Sequence, residues 1–162
     1  MDARVETSSA VRGVAQVADL LASKATRGEP IEWSPALSVG VASIDGQHRV
    51  LVAYINQLSS AIARQQSTRV LGQVLVGLEG YARLHFHFEE RLFDRLAWTE
   101  GHDHAQAHRL FENQLADFRA RFAGGDTHLA GSVLAFMVRW LAEHILVDDM
   151  AYSGFLQAHH VH

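Results

Sequence analysis

The chain is predicted to be all-α, an up-down-up-down four-helix bundle with an N-terminal extended segment and an extra N-terminal helix or tail. Three observations predict it. Four long segments carry apolar residues recurring three and four positions apart. The breaks between them are a few residues long, which sets sequence neighbours antiparallel. A length of 162 residues at 48% apolar and 20% charged residues fits one globular domain, and no strand is predicted.

The elements follow in order. Residues 1–30 form an appendage, either a short helix or a disordered extension. Ser8-Ser9 would cap the helix, with Val11, Val14, Val17, Ala18 and Leu21 on one face, and Thr26-Arg27-Gly28-Glu29-Pro30 would break it. Its functional reading is a connector to a partner. The bundle domain is expected at 31–157. It opens with an extended arm, Ile31-Glu32-Trp33-Ser34-Pro35 through Gly40, which lacks a helical period and is anchored by Trp33. The first bundle helix, roughly 42–65, carries Ile44, His48, Leu51, Val52, Ile55 and Leu58. The second runs from a Ser67/Thr68 cap to about Ala97 through Val70, Val74, Leu78, Tyr81, His85, Phe88 and Leu92. The third, about 101–123, shows His104, His108, Phe111, Leu115, Phe118 and Phe122 before Gly124-Gly125 ends it. The fourth starts at an Asp126/Thr127 cap and continues through Leu134, Met137, Trp140, Leu141 and His144. Residues 158–162 are a tail in which His159, His160 and His162 form a tract.

Composition removes several function classes. The formal charge is −4, without a block of basic residues, which argues against nucleic-acid and anionic-membrane partners. The absence of cysteine excludes disulfides, thiolate zinc sites, iron–sulfur ligation and thiol nucleophiles. There is no uninterrupted run of 18 apolar residues, and the start carries an acid, Asp2, where a signal peptide would carry positive charge. A cytoplasmic protein without a membrane partner is the expectation. The unusual count is 11 histidines.

Their spacing is informative. His85 and Glu89 are four apart, as are His104 and His108, so each pair shares a helix face about 6 Å apart along the axis. His48 lies near the start of the first bundle helix, His144 near the end of the fourth, and Asp149 five residues later. In an up-down-up-down bundle these positions meet at one end. Packing alone would leave five imidazoles and two carboxylates buried at one level, where an unpaired ionised carboxylate is costly. Metal ions remove that cost. Seven ligands exceed the needs of one tetrahedral ion, and carboxylates bridge, so a dinuclear site results. Ligand softness leaves iron, zinc, copper and nickel open. The ferritin-like pattern is disfavoured, because the chain contains no Glu-x-x-His.

At these residues the chain resembles the hemerythrins, specifically the bacterial hemerythrin domains, over about residues 31–157. The motifs are Ile-x-Trp at 31–33, Ile-Asp-x-Gln-His at 44–48, His-Phe-x-x-Glu-Glu at 85–90, His-x-x-x-His at 104–108 and Trp-Leu-x-x-His-Ile-x-x-x-Asp at 140–149. The resemblance implies a non-haem di-iron centre, oxo- or hydroxo-bridged, that binds dioxygen reversibly. By the same resemblance, one iron is held by His104, His108 and His144 and the other by His48 and His85, with Glu89 and Asp149 bridging. The second iron is then one ligand short, and dioxygen takes that place. Phe86, Trp140 and Leu141 match the family's pocket positions, which are expected to be apolar so that water and protons stay out. Asp45 and Glu90 are candidates for orienting the ligand imidazoles. Two departures stand near the site: Phe93 where the family often has Met, and Trp98-Thr99 where Tyr-Pro is common.

A geometrical expectation accompanies the ligand set. Residues five apart lie about 140° around an ideal α-helix, so His144 and Asp149 require irregular backbone at Leu146–Asp149. His87, His102 and His128 fall outside the apolar stripes and are read as surface or capping residues. Dioxygen binding would serve transport to an oxygen-consuming enzyme, storage, or sensing through a signalling partner of residues 1–30. The alternative is a di-iron enzyme or sensor acting on peroxide or nitric oxide, for which the sequence offers no obvious Tyr, Lys or Glu proton donor. A third class is a zinc-stabilised structural bundle.

Overall fold

The computed structural model describes residues 3–161, and side chains from Gly13 onward. Helix α1 spans Ala3–Thr26, α2 Ala42–Ala63, α3 Ser67–Leu96, α4 Gly101–Ala123, α5 Ala130–Trp140 and α6 Met150–Ala158. A π-helical segment, Leu141–Asp149, joins α5 to α6 without a break. Short 3-10 turns occur at Pro35–Leu37 and Thr127–Leu129. No strand occurs among the described residues. The expected helix limits agree within a few residues, but the fourth helix is a composite of α5, the π segment and α6.

α2 packs against α3 and α5, and α3 against α4. The α4–α5 seam is made by aromatic rings, Phe111 and Phe118 of α4 against Phe136 of α5. The main core fills the bundle with Leu51, Ile55, Leu58, Leu71, Leu75, Leu78 and Met137. A second, smaller cluster of Val39, Val41, Ile44, Leu92, Phe93, Tyr152 and Leu156 closes one end. Along α2 the boundary between the clusters falls at His48, along α3 at Glu89, and along the composite fourth helix at Asp149. A polar layer is thus sandwiched between two apolar ones.

The arm from 31 to 41 builds the end cap. Asn56 fixes its start, accepting from the Ile31 N–H at 2.8 Å and donating to the Ile31 carbonyl at 2.9 Å. Ile31, Leu37 and Val39 are buried, whereas Trp33 is half-buried beneath the Arg49 guanidinium, 4.9 Å from its ring centre. Trp33 is therefore one anchor among several. The Val39 N–H and the Ser38 hydroxyl donate to Asp45. Asp45 consequently secures the arm, and the expectation that it orients an imidazole is corrected.

α1 is helical from Ala3, so Ser8-Ser9 lie inside the helix rather than capping it. The Val11 side chain, Asp2 and the tail residue His162 lie outside the described residues. Leu21 and Ala25 are buried, and Ser59 donates to the Ala25 carbonyl at 2.6 Å. The helix lies against α5, α2 and the π segment. In the turn that follows Thr26, Gly28 takes φ +74° and approaches Ala63 so closely that a Cβ would sit 2.7 Å from the Ala63 Cβ.

The stretch Thr127–Ala158 is long and apolar enough, by length and composition, to cross a membrane. Burial accounts for its apolarity: Val133, Leu134, Met137, Leu141, Ile145 and Tyr152 all face the bundle core. It also carries two of the buried polar residues, His144 and Asp149.

Candidate metal centre

The polar layer contains all seven residues singled out for ligation. His48, His85, Glu89, His104, His108, His144 and Asp149 are all buried, both carboxylates completely. They form two groups, Glu89 with His104, His108 and His144, and His48 with His85, Glu89 and Asp149; within each, one ligand atom per residue lies within 4.8 Å of the others. Helical spacing supplies the pairs on α3 and α4. The π segment supplies the last pair, since i→i+5 bonding brings residues five apart over one another. The irregularity expected at 146–149 therefore begins earlier, at Leu141, and spreads over the whole segment.

Each carboxylate divides its oxygens between the two groups. Asp149 Oδ2 lies 3.0 Å from His48 Nε2, whereas Oδ1 lies 3.1 Å from His144 Nε2 and 3.2 Å from His104 Nε2. Glu89 Oε2 lies 3.1 Å from His108 Nε2 and 3.2 Å from His104 Nε2, with Oε1 3.6 Å from His85 Nε2. Most of these close approaches are not hydrogen bonds: Nε2 of His48, His85, His108 and His144 and both Asp149 oxygens have no hydrogen-bond partner. Buried polar atoms left this way normally have an unseen partner, such as an ion. The nitrogens and oxygens converge on common points between them, which fits cations.

The outward nitrogens are held from behind. His85 Nδ1 bonds Gln47 Oε1 at 2.8 Å, His108 Nδ1 bonds Glu90 Oε1 at 2.9 Å, and His144 Nδ1 bonds Asp148 Oδ2 at 3.1 Å. Fixing Nδ1 in this way leaves Nε2 free to coordinate. Glu90 performs the role expected of it. Gln47 and Asp148 were not singled out, although both adjoin a candidate ligand in sequence, and that adjacency was a usable signal. The Tyr152 hydroxyl donates to Glu89 Oε1, a contact across 63 residues of sequence.

Charge explains the protonation pattern. Burial holds the His85 imidazole down at about 4, against the pull of Glu89. Burial also opposes protonation of His104 and His144, but contacts with Asp149 and Glu89 outweigh it at His104, and Asp149 with Asp148 outweighs it at His144, raising both to about 9. Glu89 and Asp149 are each disfavoured as anions by burial, yet the surrounding imidazoles hold them below the usual carboxylate range. Two buried anions thus draw compensating positive charge into the layer.

Around it stand the expected pocket residues. Phe86 stacks on His108 at 3.9 Å and 7°, and Trp140 stacks on His144 at 3.9 Å and 17°. Leu141 is completely buried. The two departures, Phe93 and Trp98, pack on His104 and Tyr152, by the end cap. Tyr81 also belongs to the site. It is buried and stacks on His85 at 5.1 Å and 22°, and burial and the two carboxylates keep its phenol protonated by raising it well above its ordinary value. Tyr81 and Tyr152 thus stand at the centre, where the sequence offered no obvious Tyr donor. His87, His102, His128, His159 and His160 are exposed, as expected for surface residues.

Residues 39–156 match the family model described as the Hemerythrin HHE cation binding domain. The chain is 32% identical to a bacteriohemerythrin of Stenotrophomonas maltophilia over 127 residues, 78% of this chain and 82% of the relative. It is 31% identical to a bacteriohemerythrin of Pseudomonas aeruginosa over 120 residues, 74% of this chain and 77% of the relative. A hemerythrin-like protein of Naegleria gruberi is 27% identical over 127 residues, 78% and 94% of the two chains. The matched span contains both histidine groups and the shared carboxylates, and α1 precedes it. This chain belongs to the hemerythrin family.

Proposed function

We propose that the protein binds dioxygen reversibly at a non-haem di-iron centre. His104, His108 and His144 would hold one iron, His48 and His85 the other, and Glu89 and Asp149 would be shared between them. The observation that carries this is the division of each buried carboxylate between the two histidine groups. The bacteriohemerythrin names of the relatives support iron and dioxygen over the other metals.

When bound, the iron pair supplies the two electrons by which dioxygen is held and returned. The chain supplies the rest. Three imidazoles would hold one iron and two the other, so His48 and His85 would leave room beside them for a small ligand. Phe86, Leu141 and Trp140 pack around the layer, and Val39, Ile44, Phe93 and Tyr152 close the end of the bundle, so water is excluded from both sides. Gln47, Glu90 and Asp148 keep the imidazoles in place. None of these roles requires turnover, and we read the protein as a carrier, store or sensor of dioxygen, its further partner being an oxygen-consuming enzyme or a signalling protein reached through residues 1–30.

The test begins with reduced, iron-loaded protein exposed to air and then to vacuum. A visible absorption that appears and disappears over repeated cycles is the expected result. Irreversible conversion to ferric protein would replace this reading with an enzyme acting on peroxide or nitric oxide. Two zinc ions and no absorption, in protein isolated from its own cells, would replace it with a structural bundle.

A narrower prediction concerns Glu90. Glu90→Ala removes the acceptor that fixes His108, and iron affinity should fall about 10–100-fold, the range usual for such supporting partners. Competition with a chelator measures it. Helical content should be unchanged, since Glu90 is only partly buried.

A further inference from the structure

Tyr81 stands on α3 four residues before His85, and Trp140 four before His144, so each lies one helical turn below a candidate ligand on the same face. The Tyr81 ring also meets the edges of Phe86 and Phe111, at 6.1 and 6.4 Å between centres. Trp140 lies 5.7 Å from Phe86 and 4.7 Å from Phe111. The Tyr81 hydroxyl and the Trp140 indole N–H face one another within this aromatic box; both polar atoms are buried, and the phenol proton has no acceptor.

Donor counting makes the pair informative. Indole has one donor and no acceptor, whereas phenol has one of each. Even a bond from Trp140 to the Tyr81 oxygen would leave the phenol proton without an acceptor. The contrast with Tyr152 is direct, because that hydroxyl donates to Glu89. Buried donors are rarely left unused, and exceptions call for a ligand.

We propose that Tyr81, supported by Trp140, donates a hydrogen bond to the small ligand held beside His85, making this pocket selective for ligands with an acceptor atom, such as dioxygen or azide. The inference rests on the di-iron reading above. It also alters the expected pocket: Phe86, Leu141 and the Trp140 ring remain its apolar walls, but a polar donor lies among them.

The test uses the full-length, iron-loaded ferric protein titrated with azide. Tyr81→Phe should weaken azide by roughly tenfold or more, the usual effect of losing a donor to a charged acceptor. The vibrational frequency of bound azide should shift in deuterium oxide for the parent protein and not for Tyr81→Phe. Trp140→Phe should weaken azide by a smaller factor. The metal-free Tyr81→Phe protein should melt no lower than the parent, because the change deletes a phenol proton that has no acceptor. Unchanged azide affinity, or equal deuterium shifts in both proteins, overturns the proposal; so does a lowered melting temperature with azide binding intact, which would make the hydroxyl structural. Azide binds ferric iron whether or not dioxygen binds reversibly. A failure of the air and vacuum cycle would therefore sink the carrier reading while leaving Tyr81 to be judged by its own titration.

Discussion

Glu89→Ala is expected to lower the bound iron from two ions per chain to at most one and to abolish the absorption that appears in air. Glu89 belongs to both histidine groups, with Oε2 between His104 and His108 and Oε1 towards His85. In the di-iron reading its loss would therefore subtract a ligand and a negative charge from both metals at once. No neighbour can replace it: Glu90 is turned outward onto His108 Nδ1, and Asp149 is already engaged on both sides. Elemental analysis of purified protein gives the number directly. Asp148→Ala, which removes only the partner behind His144, should retain both ions at a reduced affinity and serves as the comparison. Two tightly held ions in Glu89→Ala would overturn the bridged arrangement.

The second large effect is on stability. Phe111→Ala should cost about 3–5 kcal/mol, the range for truncating a buried aromatic. For a domain of this size, that corresponds to a melting temperature about 6–20 °C lower. Phe111 is almost fully buried and meets the rings of Tyr81, Phe86, Phe136 and Trp140. It joins α4 to both α3 and α5, and it is the wall behind the pocket. Thermal unfolding followed by circular dichroism measures the loss, and a shift below about 3 °C would mean that the cavity collapses without consequence.

Most of the metal centre was legible because its information is local. His85 with Glu89 and His104 with His108 are four-residue pairs, and a helix turns such spacing into a shared face whatever surrounds it. His48, His144 and Asp149 required one further step, the antiparallel order of the helices, which the short breaks supply. The irregular backbone at Leu146–Asp149 could be anticipated for the same reason, although the π segment begins earlier, at Leu141. What was not legible depends on partners distant in sequence. Asp45 and Glu90 look alike beside a ligand histidine, yet the folded arm claims the first and His108 the second. Tyr81 lies on an apolar stripe, where a tyrosine reads as core until its hydroxyl is found without an acceptor. The docking of α1 was equally hidden, because Leu21 and Ala25 become buried only against a surface that α2 and α5 assemble.

The position of α1 has a mechanical meaning. It rests on the π segment that carries both His144 and Asp149, and a buried hydroxyl on α2 ties down its far end at Ala25. The outermost helix and the innermost carboxylate are thus two sides of a single thickness of backbone. Any shift of α1 along the π segment must therefore be taken up by the backbone that carries His144 and Asp149.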